Sequence, residues 1–171
     1  MIYITGDTHG QFERIEAFCR CQNTRREDVL IILGDAGINY DGWVRDCVKK
    51  YFLEALPITL FCIHGNHEQR PQTLDTYRER RWHGGVVYYE EEYPDLLFAK
   101  DGEIFELDGW QTMVIGGAYS VDKMFRIAYG YGWWPDRLDY RRWYCGHYHT
   151  EKRTDRLEIL FENFEVFMGR K

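Results

Sequence analysis

Residues 2–10 read Ile-Tyr-Ile-Thr-Gly-Asp-Thr-His-Gly, a short apolar run followed at once by a polar loop between two glycines. The arrangement returns at 29–37, Val-Leu-Ile-Ile-Leu-Gly-Asp-Ala-Gly, and at 58–68, Ile-Thr-Leu-Phe-Cys-Ile-His-Gly-Asn-His-Glu. Short apolar runs bounded by glycine are typical of buried strands, and glycine allows the sharp turn or close backbone approach that such a strand end requires. The three stretches therefore predict three buried strands with polar side chains at their carboxyl ends.

Two stretches with helical spacing separate these strands. Apolar residues recur every three or four positions over 12–19 and again over 43–52. The order strand, helix, strand, helix, strand predicts a parallel sheet with right-handed crossovers. We expect these apolar residues to pack into the core: Phe12, Ile15, Phe18 and Cys19 from the first helix, and Trp43, Val44, Cys47, Val48, Tyr51 and Phe52 from the second.

The rest of the chain is rich in short β-prone segments. Those joined by turns, which predict an antiparallel part, occupy 86–89, 96–99, 104–107 and 111–115. Further on, 143–145 predicts another strand, and 157–161 with 164–167 predicts a closing hairpin. No repeat or linker divides the chain. We therefore predict a single domain over 1–171 of the α/β (α+β) class, with mixed β-sheets packed as a sandwich and flanked by helices.

Composition and charge narrow the functional classes. Lysine and arginine number 22 against 28 aspartates and glutamates, and the net charge of −6 argues against nucleic acid as a partner. A hydrophobic content of 44% excludes a disordered chain, and no apolar run is long enough to span a bilayer. The first residues do not resemble a signal peptide, and the five cysteines lack a disulfide-framework spacing. We expect a cytoplasmic protein with free thiols and no membrane contact.

Chemistry-bearing side chains collect at the predicted strand ends. In chain order they are Asp7 and His9, then Asp35, then Asn66 and His67, and finally His147 and His149. Because the carboxyl ends of parallel strands meet at one edge of a sheet, we expect these groups to lie together. Carboxylate, amide and imidazole donors suit manganese, iron or zinc. Each motif alone is also compatible with an ordinary turn or a surface histidine pair, but four in order favour a metal centre.

The motifs, taken together, resemble the calcineurin-like metallophosphoesterases. The family pattern runs Asp-x-His, Gly-Asp, Gly-Asn-His-Asp/Glu, a lone His, and Gly-His-x-His. This chain carries Gly6-Asp7-Thr8-His9, Gly34-Asp35, Gly65-Asn66-His67-Glu68 and Gly146-His147-Tyr148-His149. The resemblance covers residues 1 to 150, and the stretches 116–123 and 132–135 are similar to a small bacterial branch. It implies αββα layers.

The resemblance also implies a ligand set and a reaction. Asp7, His9, Asp35 and His149 would hold one metal ion, and Asp35, Asn66 and His147 a second, with Asp35 bridging. His67 would act as general acid or transition-state stabiliser, supported by Glu68. The implied reaction is hydrolysis of phosphomonoesters or phosphodiesters by a hydroxide that bridges two divalent ions (Mn, Fe or Zn), acting on a phosphorylated small molecule.

Two departures from the family pattern limit these expectations. Between His67 and His147 the only histidine is His83, which we interpret as structural, so the lone-His motif is missing. The 24 residues 118–141 also carry no strand–helix unit, as if an internal segment had been deleted. The second metal then has at most three protein ligands and should bind weakly. We expect reduced activity, and an apolar edge left by the deletion leaves homo-oligomerisation open.

Several alternatives stay open at this point. The Ser/Thr protein phosphatase branch carries Gly-Asp-x-x-Asp-Arg-Gly, and Ile38 and Asn39 stand where its second Asp and Arg would be, so that activity is not supported. Arg70, Lys123 and Arg126 could contact phosphate or be ordinary solvated charges. A non-catalytic module that binds metal or phosphate, and a nuclease of the same superfamily, are the rival functions.

Overall fold

A seven-stranded mixed sheet forms the centre of the computed structural model, which describes residues 1–65, 68–117 and 142–167. In spatial order its strands are β12 (Phe164–Val166), β1 (Ile2–Thr5), β2 (Val29–Leu33), β3 (Thr59–Ile63), β6 (Tyr93–Ala99), β5 (Gly85–Glu90) and β4 (Arg78–Trp82). The remaining strands form the hairpin β7 (Ile104–Leu107) and β8 (Trp110–Met113), and a three-stranded sheet of β10 (Lys152–Arg153), β11 (Leu157–Ile159) and β9 (Trp143–Cys145).

The middle of the large sheet is parallel, as the repeated strand–helix order predicts. β1 pairs with β2 and β2 with β3 in parallel, as predicted. β3 also pairs in parallel with β6, whose residues 96–99 the sequence assigns to the antiparallel part. Alternate residues of these strands point to opposite faces of the sheet. Leu30 and Ile32 of β2 pack under the helices, whereas Ile31 packs with Phe61 and Phe105 on the face that β7 and β8 cover. The expected mixed sheet with two flanking helices is confirmed.

Helix α1 (Glu13–Gln22) buries the stripe that its spacing predicts. Ile15 and Cys19 are fully enclosed, Phe12 packs with them just before the helix, and Phe18 lies at the edge of the same cluster. The helix ends at Asn23, whose left-handed backbone (φ 51°) directs its N–H to the carbonyl of Cys19. Asparagine tolerates this conformation and is therefore a natural helix terminator.

Helix α2 (Trp43–Glu54) contradicts the prediction that its apolar stripe faces the core. Trp43 and Tyr51 are 77% and 75% exposed, and the residues buried on this helix are Asp46, Lys50 and Leu53. We attribute this orientation of the helix to a buried ion pair, in which Lys50 Nζ lies 2.5 Å from Glu90 Oε2 of β5. The polar side of α2 thus faces the sheet and its apolar side faces outward.

The closing hairpin predicted for 157–161 and 164–167 is also wrong. β11 pairs in parallel with β9, while β12 pairs antiparallel with β1 at the edge of the large sheet. Between the two strands, the Glu151 carboxylate accepts the N–H groups of residues 161, 162 and 163 at 3.0, 2.9 and 3.0 Å. The chain therefore passes from one sheet to the other.

The antiparallel region is larger than the sequence predicts. β6 joins the parallel strand β3 to the antiparallel β5, and β4 adds an outer strand that was not predicted. The sequence of β4, Arg-Glu-Arg-Arg-Trp, is mostly charged, which is typical of an edge strand that must resist pairing with another chain. The fourth, helical layer and the proposed deletion at 118–141 concern residues outside the described ranges.

Two smaller expectations can be compared with the structure. All five cysteines are free thiols, as expected from their spacing. In the described ranges, neither α1 nor α2 is long and apolar enough to cross a membrane.

Candidate metal centre

The loops that follow β1 and β2 are joined by backbone hydrogen bonds. The N–H of His9 donates to the carbonyl of Asp35 at 2.8 Å, and the N–H of Gly10 donates to the carbonyl of Ala36 at 3.0 Å. The hydroxyl of Thr8 donates to the same Ala36 carbonyl at 2.7 Å. These bonds fix two of the chemistry-bearing loops to each other, at the carboxyl edge of the parallel strands where ligand sites form.

Close backbone approach explains two of the glycines in this region. A Cβ atom on Gly65 would overlap the backbone and carboxylate of Asp35, and one on Gly146 would overlap Asp7 Oδ1 and the carbonyl of Leu33. Only glycine leaves room for the loops after β3 and β9 to reach the carboxylates. The sequence expectation that these glycines serve the strand ends is confirmed here by packing.

Three side chains converge in what we call the first donor group: Asp7, His9 and His149. Asp7 Oδ2 lies 3.7 Å from His9 Nε2 and 3.6 Å from His149 Nε2. The two imidazole nitrogens lie 2.9 Å apart. Residues separated by 140 positions along the chain therefore meet, and Asp7 is buried while both histidines remain accessible from outside.

A second donor group consists of Asp7, Asp35 and His147, with ligand atoms within 4.8 Å of one another. His147 Nδ1 lies 3.8 Å from Asp35 Oδ2, and the His147 peptide N–H donates to Asp7 Oδ1 at 2.6 Å. Asp7 is the member that the two groups share. The resemblance assigns the bridging position to Asp35, and that assignment stays a prediction.

The buried Asp7 carboxylate tests whether these residues suit a cation. Among the described residues, its buried Oδ2 atom has no hydrogen-bond partner. Burial raises the pKa of Asp7, and the nearby Asp35 carboxylate raises it further, while the His147 N–H and the two histidines of the first group oppose the shift. A buried anion beside a second anion is costly without a positive partner. A divalent cation would supply that partner.

The spacing of the His9 and His149 nitrogens is also compatible with a bound cation. Two imidazole nitrogens bound to one cation, each about 2.1 Å from it, would lie about 3.0 Å apart at a right angle and about 3.4 Å apart at the tetrahedral angle. The observed separation of His9 Nε2 and His149 Nε2 is 2.9 Å. Carboxylate oxygens combined with imidazoles, without thiolate, suit manganese, iron or zinc. The residues present therefore fit a divalent metal ion.

Four of the donor residues adopt the left-handed backbone region. They are His9 (φ 46°), Asp35 (φ 43°), His147 (φ 73°) and His149 (φ 46°). Non-glycine residues in this region are uncommon, and each costs on the order of 1–3 kcal/mol. Such residues cluster at functional sites, where the surrounding structure holds them in place. Four strained donor residues therefore lie in one loop cluster, an arrangement that is common at functional sites.

The loop after β3 is only partly described. Asn66 and His67, the predicted ligand and general acid, lie outside the described residues. Glu68 is described, and burial raises its pKa to about 7 while the N–H groups of Gly65, Gly37 and Ile38 oppose this effect. Its Oε1 accepts the Gly65 N–H at 3.1 Å. Glu68 thus ties the β3 loop to the β2 loop, and the support of His67 predicted for it stays a prediction.

Arg14 and Phe161 were not singled out from the sequence. The Arg14 guanidinium donates to the carbonyls of Asp7 at 2.6 Å and Phe161 at 3.1 Å, and the Phe161 ring stacks on His149 with centroids 4.6 Å apart. Together they hold the first and last loops of the site. Arg14 precedes the buried Ile15 on α1, but sequence alone gives no signal that separates it from a solvated arginine.

Other candidate residues have ordinary partners or lie elsewhere. Arg70 pairs with Asp101 at 3.1 Å, while Lys123 and Arg126 lie outside the described ranges. His83 occupies the turn between β4 and β5, where its Nδ1 lies 3.0 Å from the Glu106 carbonyl oxygen. That placement agrees with the structural interpretation of His83.

Comparison with known proteins agrees with the motifs and the geometry. No curated protein and no solved structure matches the chain at a significant level. The family model described as calcineurin-like phosphoesterase matches residues 1–168, which is nearly the whole chain. The match includes every strand of the large sheet and both donor groups. The chain belongs to the calcineurin-like phosphoesterase family.

Proposed function

We propose that this protein is a metal-dependent phosphoesterase that hydrolyses phosphomonoesters or phosphodiesters of small molecules. The observation that carries the proposal is the buried Oδ2 of Asp7, which has no hydrogen-bond partner among the described residues and which two imidazole nitrogens face at 3.6 and 3.7 Å. A carboxylate in this setting needs a cation, and family membership makes a phosphoester the matching substrate class. The acidic net charge of −6 is compatible with this, since bound cations supply local positive charge.

Each of the two donor groups would hold one divalent cation. His9 and His149 complete the first group around Asp7, and Asp35 and His147 complete the second. The resemblance adds Asn66 to the second group. Bound there, the cations would activate water for attack and neutralise charge on the transferring phosphoryl group.

Residues of the loop after β3 are proposed to protonate the leaving group and to position the loop. His67 is proposed to donate a proton to the leaving alkoxide, which departs poorly without one near neutral pH. Glu68 positions this loop through the hydrogen bond from the Gly65 N–H. Since the lone-His motif is missing from the sequence, the second group has fewer ligands than the family pattern. We therefore propose that its cation is held weakly and that turnover is lower than in an intact relative.

The proposal can be tested with nitrophenyl phosphate and bis(nitrophenyl) phosphate in graded Mn²⁺. We expect turnover of at least one ester that requires the metal and is abolished by chelation. Asp35→Asn should lose this metal-dependent turnover. Asp41→Asn is the matched control and should retain it, because Asp41 lies in the same connection between β2 and α2 but pairs with Lys49 at 2.6 Å. Full activity of Asp35→Asn contradicts the mechanism, and metal binding without turnover of either ester favours a non-catalytic module.

A further inference from the structure

Helix α2 presents a continuous apolar surface to the outside. This surface, the α2 strip, consists of five residues with these exposed fractions: Trp43 77%, Val44 68%, Val48 69%, Tyr51 75% and Phe52 37%. On a helix, positions 44, 48 and 51 follow one another on one side. Single exposed apolar residues are ordinary, but a strip of this kind on one helix is not.

The orientation of α2 is fixed by the charges on its opposite side. Lys50 and Glu90 form a buried ion pair, with Nζ and Oε2 2.5 Å apart. Lys49 Nζ lies 2.6 Å from both the Gly37 carbonyl oxygen and Asp41 Oδ2. Rotating the helix to bury the strip would break these interactions and leave a buried charge unpaired, which is strongly unfavourable. The strip therefore stays outside while the domain is folded.

The size of the strip matches what a dimer requires. If a fully exposed aromatic side chain presents about 200–250 Å² and a valine about 150 Å², the five exposed fractions correspond to roughly 600 Å² per copy. Monomeric proteins seldom expose a larger apolar patch than about 300–600 Å². Two such strips facing each other bury roughly 1,200 Å², the lower bound of a standard specific interface, before any flanking residue is counted.

We propose that α2 is the interface of a homodimer in which the helices of two copies pack antiparallel about a twofold axis. With a twofold axis through the strip, the α2 strip of one copy packs against the α2 strip of the other, so both copies use the same surface. The distribution of charge along α2 favours an antiparallel orientation of the two helices. Arg45 is exposed beside the strip near the N-terminal end, and the last turn of α2 carries no basic side chain. Each Arg45 then approaches the partially negative C-terminal end of the other helix.

Sedimentation of the full chain, from micromolar to roughly 100 μM, tests the interface. We expect the wild type to sediment with an apparent mass twice that of the 20.6 kDa chain. Val48→Glu sets two carboxylates together near the axis and should raise the dissociation constant about 100-fold or more. Met113→Glu is the matched control, because Met113 is 50% exposed on β8, away from α2, and this variant should dimerise like the wild type.

The outcomes separate the proposed interface from any other. A wild type that stays monomeric at the highest concentration overturns the proposal, and so does a Val48→Glu variant that dimerises as tightly as the wild type. Thermal unfolding of each variant verifies that it is folded. As a second measure, Val48→Cys in a Cys21→Ser, Cys47→Ser background should form a disulfide-linked dimer faster than Met113→Cys in that background. Equal rates also overturn the proposal.

Discussion

The two donor groups share Asp7 but differ in how completely the described chain builds them. In the first, His9 and His149 approach each other to 2.9 Å, and Phe161 and Arg14 hold the loops around them. In the second, His147 stands 3.8 Å from Asp35, and the predicted ligand Asn66 lies outside the described residues. The difference teaches that the described loops after β1 and β9 already bring the three donors of the first group together, whereas the predicted second ligand set also draws on the loop after β3 and lacks the family's lone histidine.

Replacing the shared carboxylate should have the largest effect. Asp7→Asn removes an anion from both groups, so we expect metal affinity to fall by roughly 100-fold or more at each, beyond the 10–100-fold typical of outer-shell changes. The free energy of unfolding in chelator should not fall, because an amide avoids burying a charge. Metal content by elemental analysis and urea unfolding with and without Mn²⁺ measure the two quantities.

The matched control for this experiment is Asp108→Asn. Asp108 is an exposed turn residue with φ of 52°, a conformation that asparagine tolerates, so metal content and stability should match the wild type. Retention of Mn²⁺-dependent stabilisation by Asp7→Asn at wild-type affinity would contradict the idea that the groups share this residue.

A pair of histidine variants sharpens the comparison between the groups. His149→Gln opens the first group and should remove the tightly held ion, whereas His147→Gln affects the weaker one. We expect the loss of affinity for the tightest ion to be about 10–100-fold greater in His149→Gln. Equilibrium dialysis against graded Mn²⁺, followed by elemental analysis, gives the stoichiometry. Two equally tight ions in the wild type, or equal effects of the two variants, would remove the distinction.

The smallest effect is expected at Glu68, which accepts a hydrogen bond in the loop after β3 and belongs to neither donor group. Glu68→Ala leaves the Gly65 N–H without its acceptor, and we expect it to lower the free energy of unfolding by about 1–3 kcal/mol. Glu68→Gln keeps an acceptor oxygen and serves as the conservative control, since its amide avoids the cost of burying a charge. Urea unfolding in chelator measures both, and equal losses in the two variants would deny the proposed hydrogen-bonding role.

The comparison of α1 with α2 marks where sequence analysis succeeds and fails. Both helices carry apolar residues at helical spacing, and on α1 Ile15 and Cys19 are buried as that spacing predicts. On α2 the same spacing leads to the opposite arrangement, because Glu90, distant in sequence, pairs with Lys50 against the sheet. Periodicity identifies a helix and its stripe, but the residues that the neighbouring strand presents decide which side is buried.

The site itself was largely predictable, since its parts are local. A glycine at a strand end followed by Asp or His can be read from a few residues, and parallel topology brings such ends together. Arg14 and Phe161 were missed because neither carries a local pattern, and the hydrogen bond that joins them spans 147 positions of the chain. The β11–β12 connection was missed because no local pattern shows that Glu151 accepts the N–H of Phe161. Manganese as the metal and a cytoplasmic location stay predictions.

The pairing of β12 with β1 has a consequence for the order of assembly. Thr5 of β1 lies opposite Phe164, and Asp7, two residues further on, meets His149. A chain still emerging from the ribosome can form β1, β2 and β3 early, yet it lacks the nitrogen donors of His147 and His149 until the loop after β9 has also emerged. High-affinity metal capture should therefore follow the long-range contacts that bring this loop to β1.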